Sequence, residues 1–291
     1  MKHPDEGTIQ NLKRLVKDYD DITDLIKKTK QRIRSRYGDL SKVEQDELIK
    51  FDSTLNGGGA RTQGLVQIKR RVERTIEKEL VFWPLWTEWM QNIPGIGATI
   101  AGKLILLYYY KFVPVCKDCG AGLEKQEGTF WCETCQKSVR GEGLSKYELR
   151  YKDFPNISAW RKYAGYHIVD GKMPKREKGK QSNWNSKGRK IGFLIGDQFN
   201  RQSESNPYTA FMLKRKARYQ NDPAYADYSK GHIHNMARHQ AVKLFFSHLW
   251  DVSKRLEGQK EPAKPWIIQF GGHTKYIAPY YFNEEAVDQA A

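Results

Sequence analysis

The 291-residue chain is 39% hydrophobic and 12% aromatic, enough apolar material for a real core in one large or two modest folded domains. Its 50 Lys+Arg against 34 Asp+Glu give a formal net charge of +16, which points to a polyanionic partner. The longest apolar run, around Leu104 to Tyr110, is too short to cross a bilayer, and the start Met1-Lys-His-Pro-Asp-Glu6 lacks the apolar core of a signal peptide. The expectation is a cytoplasmic protein with no membrane partner, whose four cysteines are reduced or metal-bound.

From about Thr8 to Tyr37, Leu12, Tyr19, Ile26 and Ile33 recur at sevens with Leu15 and Ile22 between them, a single apolar seam on a long coiled-coil-like helix that Gly38 ends. Ser41 with Glu44 reads as the start of a shorter helix up to about Leu55, and Asn56 to Gly59 as a joint. The pattern resumes at Leu65, Ile68, Val72, Ile76 and Leu80, which predicts an antiparallel helical hairpin, an arm over 1–90 that also serves self-association. Trp83, Trp86 and Trp89 around Pro84 are expected to dock this arm onto the rest of the chain, base stacking being the other use of such rings.

The stretch Asn92-Ile-Pro-Gly-Ile-Gly97 followed by Ala98 to Leu107 reads as a tight turn entering a helix, as in a helix-hairpin-helix motif. Such a turn offers backbone N–H groups to a phosphate, so Gly95, Gly97 and the nearby Lys103 are candidate nucleic-acid contacts. An ordinary turn between two helices fits the same letters.

The most specific signal follows. Cys116-Lys-Asp-Cys119 and Cys132-Glu-Thr-Cys135 form two CxxC knuckles twelve residues apart, with Gly120, Gly122, Gly128 and the strand-like Thr129-Phe-Trp131 between them. That pattern predicts a β-rich ribbon over 113–140, with Cys116, Cys119, Cys132 and Cys135 holding one Zn²⁺, two redox pairs or an iron–sulfur site being poorer fits to the knuckle symmetry and the short β-rich loop. Four thiolates leave no open position on the ion, so the zinc is expected to be structural.

Next, Asn156 or Ser158 is expected to cap a short helix ending at Gly165. A Gly-interleaved basic segment then carries Lys172, Lys175, Arg176, Lys178, Lys180, Lys187, Arg189 and Lys190 with Trp184 and only one acid, Glu177, a composition suited to tracking a phosphate backbone. Helices are expected at Ile191 to Phe199, from Asn206, and from His234 to Leu256, with a core face of Met236, Val242, Phe245, Phe246, Leu249 and Trp250. His232, His234 and His239 have no Cys, Asp or Glu at ligand spacing and read as ordinary core or surface histidines. The tail over 256–291 is expected to be irregular. The fold class is therefore mainly α: a coiled-coil arm, then a helix-hairpin-helix-containing helical domain over 91–255 with the ribbon inserted.

The order Ile-Pro-Gly-Ile-Gly97, Phe154 with Ile157 through Tyr163-Ala-Gly165, the basic Gly-rich segment, Lys187-Gly-Arg189 opening a helix, and Arg238 with Lys243 to Trp250 resembles a family of bacterial and archaeal insertion-sequence transposases. The resemblance covers about Leu65 to Trp250. In that family a RuvC-like domain with a DEDD carboxylate set precedes a coiled coil and a carboxyl-terminal transposase domain, and some members are guided by a bridge RNA. It implies a DNA-binding protein of transposition or recombination with DNA, and in some cases a guide RNA, as partner. Because this chain begins at the arm, the RuvC-like part is expected on a separate protein. The family's carboxyl-terminal domain uses a serine nucleophile followed by glycine; here no serine occurs between Ser158 and Ser182, and Asp170 falls near that position. A carboxylate cannot form and release the same phosphoester link. Ser182 and Ser186, among Lys180, Lys187 and Arg189, are the fallback nucleophiles, and Mg²⁺ would be needed only with strand cleavage. A non-catalytic architectural or regulatory module with the same fold is the alternative to a working enzyme.

Overall fold

The heptad seam is realised as one helix, α1 (Glu6–Arg36), about 46 Å long. The Asp5 side chain caps it by accepting from the Thr8 N–H at 3.0 Å. In the computed structural model the described residues are 3–58, 63–126, 129–140, 144–169, 171–180, 182–265 and 276–283. Gly59, Gly128, Asp170 and the segment 266–268 lie outside them.

Helix α2 (Lys42–Phe51) opens with the Ser41/Glu44 capping box that the spacing suggests. It ends earlier than the expected Leu55, because the Asp52 side chain accepts from the Leu55 N–H at 2.9 Å and starts a separate turn, α3 (Ser53–Asn56). Helix α4 (Leu65–Glu79) returns along α1. Leu12, Val16 and Ile76 converge around Gly102, while the Lys69 ammonium sits 4.7 Å from the Tyr19 ring. Rising numbers on α1 thus meet falling numbers on α4, which makes the pair antiparallel. Its seam is buried at the base, at Ile9, Leu12, Leu15 and Val16, and only half-buried at Ile26 and Ile33.

Leu80–Phe82 and Met90–Asn92 are single 3-10 turns flanking α5 (Pro84–Thr87). The extended Trp83 before Pro84 interrupts helix growth, so short turns, and no long first helix, lead into Pro94. Trp83 and Trp89 have 0% exposure and Trp86 6%, so the three rings are core and their faces are closed to bases. Helix α6 (Ala98–Tyr109) follows the turn and runs directly into strand β1 (Tyr110–Cys116).

The chain divides into two units, Met1–Lys103 with Asn156–Ala291, and Leu104–Pro155. In the second, β2 (Glu124–Gln126), β3 (Thr129–Cys132) and β4 (Lys137–Val139) form an antiparallel meander. Strand β5 (Leu144–Tyr151) pairs antiparallel with β1, from Tyr110↔Tyr151 to Cys116↔Leu144, with an irregularity between Pro114 and Cys116 where proline cannot donate to the ladder. The β-rich unit is thus wider than the 113–140 span read from the cysteines.

The first unit continues with α7 (Ile157–Tyr163), capped by Asn156, then α8 (Ser186–Arg201), α9 (Pro207–Asn221) and α10 (Lys230–Leu256). Its core gathers on α10. Phe245 stacks on Trp89 at 5.3 Å, and Tyr208, itself stacked on Phe199 at 4.7 Å, meets Phe245 edge-on. Each such pair adds about 0.5–1.5 kcal/mol beyond area burial. Among the described residues the tail has no helix or strand after Leu256, yet it is tied down: the Trp89 indole N–H donates to the Tyr280 carbonyl at 2.7 Å.

His248, which the sequence leaves unremarked, is buried in this core. Its Nε2–H donates to the Ile277 carbonyl at 3.1 Å, because a carbonyl can only accept, and its Nδ1 therefore accepts from the Tyr208 hydroxyl at 2.8 Å. Burial holds its pKa down from 6.5 to about 3, so on acidification the unfolded chain takes up a proton before the native one does. Stability contributed here is present above about pH 6.5 and is lost as pH falls toward 3, by about 1.4 kcal/mol between roughly pH 7.5 and 5.5. Urea unfolding at the two pH values should show this loss, and His248→Gln, less stable at neutral pH, should show a correspondingly flatter pH dependence.

Candidate metal centre and nucleic-acid surface

Each cysteine knuckle ends in a residue with left-handed backbone, Gly120 (φ 74°) after Cys119 and Gln136 (φ 50°) after Cys135. Within the second knuckle a backbone N–H faces sulfur: Cys135 N–H donates to Cys132 Sγ at 3.4 Å. The Ala121 N–H is the first cause, ahead of the neighbouring thiols, of a Cys119 pKa lowered to about 7. The four Sγ atoms lie within 4.8 Å of one another, with Cys119 and Cys132 at 3.4 Å. A tetrahedral ion with metal–sulfur bonds of about 2.3 Å needs sulfurs about 3.8 Å apart, so the donor set fits one thiolate-bound ion. Lys137 Nζ to Asp118 Oδ2 at 2.5 Å links the two knuckles across their exposed side.

The same cysteines are much of the apolar interior. The cluster of Cys116, Leu123, Cys132 and Val139, with Ala121, Phe130 and Cys135 against it, is too small to outweigh the entropy of ordering two knuckles. A bound ion would supply the difference. Among the described residues no histidine joins a ligand cluster; His239 instead packs edge-on against Tyr166, and His232 against Tyr228.

The Pro94–Gly97 turn is seated on the end of α8. The Asn206 side chain donates to the Pro94 carbonyl at 3.1 Å, and a Cβ on Gly95 (φ 93°) would come within 3.2 Å of Gln198 and Gln202. Gly95 is thus required by the fold. Gly97 is exposed, a Cβ there would meet nothing within 4 Å, and its carbonyl accepts the first bonds of α6, while Ala98 and Thr99 at the start of that helix are buried. Lys103 does not serve this surface: its ammonium is 2.5 Å from Asp20, over the Tyr19 ring, and only 16% exposed, because α6 packs on α1 at this level.

At the other end of α8, Asn185 caps the helix by accepting from the Lys187 and Gly188 N–H groups. Lys172, Lys175, Arg176, Lys178, Lys180, Lys187 and Lys190 are all exposed, with Lys180 paired to Glu177 at 2.6 Å. Arg189 is turned inward: it donates to the Gly165 and Pro174 carbonyls and stacks over Trp184 and Tyr166, and burial lowers its pKa. It shapes the segment. The turn and the basic segment, which share one role in the sequence reading, are separated by α8: Lys187 to Gln198 is about 16 Å along the helix axis, or about five base-pair steps.

Ser182 Oγ donates to the Trp184 carbonyl at 3.2 Å, and Ser186 is an exposed first residue of α8. Among the described hydrogen bonds neither serine has a histidine or carboxylate partner. Comparison of the chain with family models, with curated proteins and with solved structures returned no match.

Elemental analysis of protein purified without chelator should find about one thiolate-bound metal per chain, since one tetrahedral set is present. Cys116→Ser should lose it and release the β-rich unit to protease. Full metal content in the variant would contradict a shared four-sulfur site.

Proposed function

We propose that the chain is a DNA-binding protein of insertion-sequence transposase type, which contacts the phosphate backbone through the Gly97 turn and the basic segment. The observation that carries the reading is the concentration of seven exposed cations between Lys172 and Lys190 against one carboxylate, on the same unit as the exposed Gly97 that precedes α6. The ordered landmarks shared with the transposase family support it. The ion in the four-cysteine site is inferred to be zinc, because an all-thiolate tetrahedral set suits a borderline-soft d¹⁰ ion, and its role is structural. Any strand cleavage would be supplied by a partner with RuvC-like carboxylates, with or without a guide RNA.

One observation favours the alternative of a non-catalytic architectural module: the Ser182 hydroxyl is held by the local backbone with no base against it among the described residues. Self-association would run through the arm, whose distal end leaves Val43 and Phe51 more than 70% exposed.

Duplex binding should be strongly salt-dependent. Replacing Lys175, Arg176 and Lys178 together by Gln should reduce the slope of log K against log salt by about 2–3, with little change in stability. An unchanged slope would remove the segment from the interface.

A further inference from the structure

Helices α7, α8 and α10 bring together a second set of cations that the sequence scatters. Arg161 is largely buried, and its Nη2 donates to the Lys243 carbonyl at 2.9 Å and to Ser247 Oγ at 2.5 Å, which ties the guanidinium to the middle of α10. Its Nε is fully enclosed with no hydrogen-bond partner. Both ring nitrogens of His167 are likewise enclosed and unpartnered. The Lys243 ammonium lies in the fields of Arg161 and Arg189, and burial followed by those charges pushes its pKa down to about 8. Partial burial, followed by the charges of Lys162, Arg189 and Lys243, lowers the His167 pKa. Among the described residues no carboxylate acts on Arg161, His167, Arg189 or Lys243.

Enclosed donors without acceptors, and cations with no carboxylate acting on them among the described residues, are each unfavourable, and Arg161, tied to the backbone of Lys243, shows both. A tetrahedral oxyanion answers both, since its several oxygens can accept from a guanidinium edge, an ammonium and an imidazole at once. We propose that Arg161, His167 and Lys243 bind a phosphoryl group, with Arg189 adding to the positive field. Resting on the DNA-binding reading, the group is assigned to a backbone phosphate of the strand that follows the basic segment. Free inorganic phosphate shares the chemistry and is the other source.

The test uses the full chain and Lys243→Met, which keeps the aliphatic stem and removes the charge. In millimolar inorganic phosphate the Tm of the wild type should exceed that in chloride of equal ionic strength by about 2–4 °C. Lys243→Met should be more stable than wild type in chloride, because it relieves repulsion, and should lose the phosphate response. His167→Gln should weaken the response in the same direction. An equal phosphate response in both variants, or none in the wild type, overturns the anion site. With labelled duplex, Lys243→Met should lower the salt slope by about one. Phosphate stabilisation without any duplex binding keeps the anion site, assigns it to free phosphate and ends the DNA reading. Duplex binding with an unchanged slope and no phosphate response ends the anion site and leaves the DNA reading standing.

Discussion

The middle of α10 has to be buried. From Phe245 to Lys254 every residue of that helix is enclosed, and what cannot be apolar is paired: Asp251 with Arg255 and Tyr276, Lys254 with Glu257, His248 between Tyr208 and the Ile277 carbonyl. A helix enclosed on all sides must be surrounded, and α5, α7, α8, α9 and the tail around Tyr280 each place aromatic or aliphatic groups on it. The cationic residues of these elements are thereby sorted. Those in the segment entering α8 remain in water, and those at the α7–α10 contact, Arg161 and Lys243, are drawn partly inside. Surface cations cost little, while enclosed ones stay ionised only with compensation, which makes the second group chemically informative.

The β-rich unit has the opposite problem. It has a two-stranded ladder, a three-stranded meander and an interior in which sulfur atoms stand where Leu or Val would in a larger domain. Structural zinc sites in comparably small folds contribute on the order of 10–16 kcal/mol, far more than the burial of a few side chains. With an ion in the four-cysteine set, folding of this unit and metal binding would be one event. The left-handed Gln136, matching Gly120 in the other knuckle, shows the site geometry overriding the ordinary preference of a side-chain-bearing residue.

Much of this was legible in the sequence, for reasons that are local. The heptad seam of α1, the Ser41/Glu44 box, the Asn156 cap and the CxxC pairs all depend on residues within a few positions of one another. What was missed depends on distant partners. Lys103 looks like a phosphate ligand until Asp20, 83 positions away, is seen beside it. Arg161 shows nothing of its role until α10 brings Lys243 and Ser247 against it. Strand β5 gives little local signal beyond the alternation of Tyr147, Leu149 and Tyr151, because its register is fixed only by β1, more than thirty residues earlier. That the turn and the basic segment lie at opposite ends of α8 is visible only in the structure, which shows Gly95 seated on Gln198.

The central claim is that one nucleic acid meets both ends of α8. Photo-crosslinking of the full chain to a duplex carrying halogenated pyrimidines at successive positions, followed by mass spectrometry of the joined peptides, tests it directly. The account predicts crosslinks in the peptides around 94–99 and 172–190, from bases about five or more steps apart on the same duplex. Crosslinks confined to the helical arm, or none above the level seen with the triple Lys175, Arg176 and Lys178 variant, would contradict it.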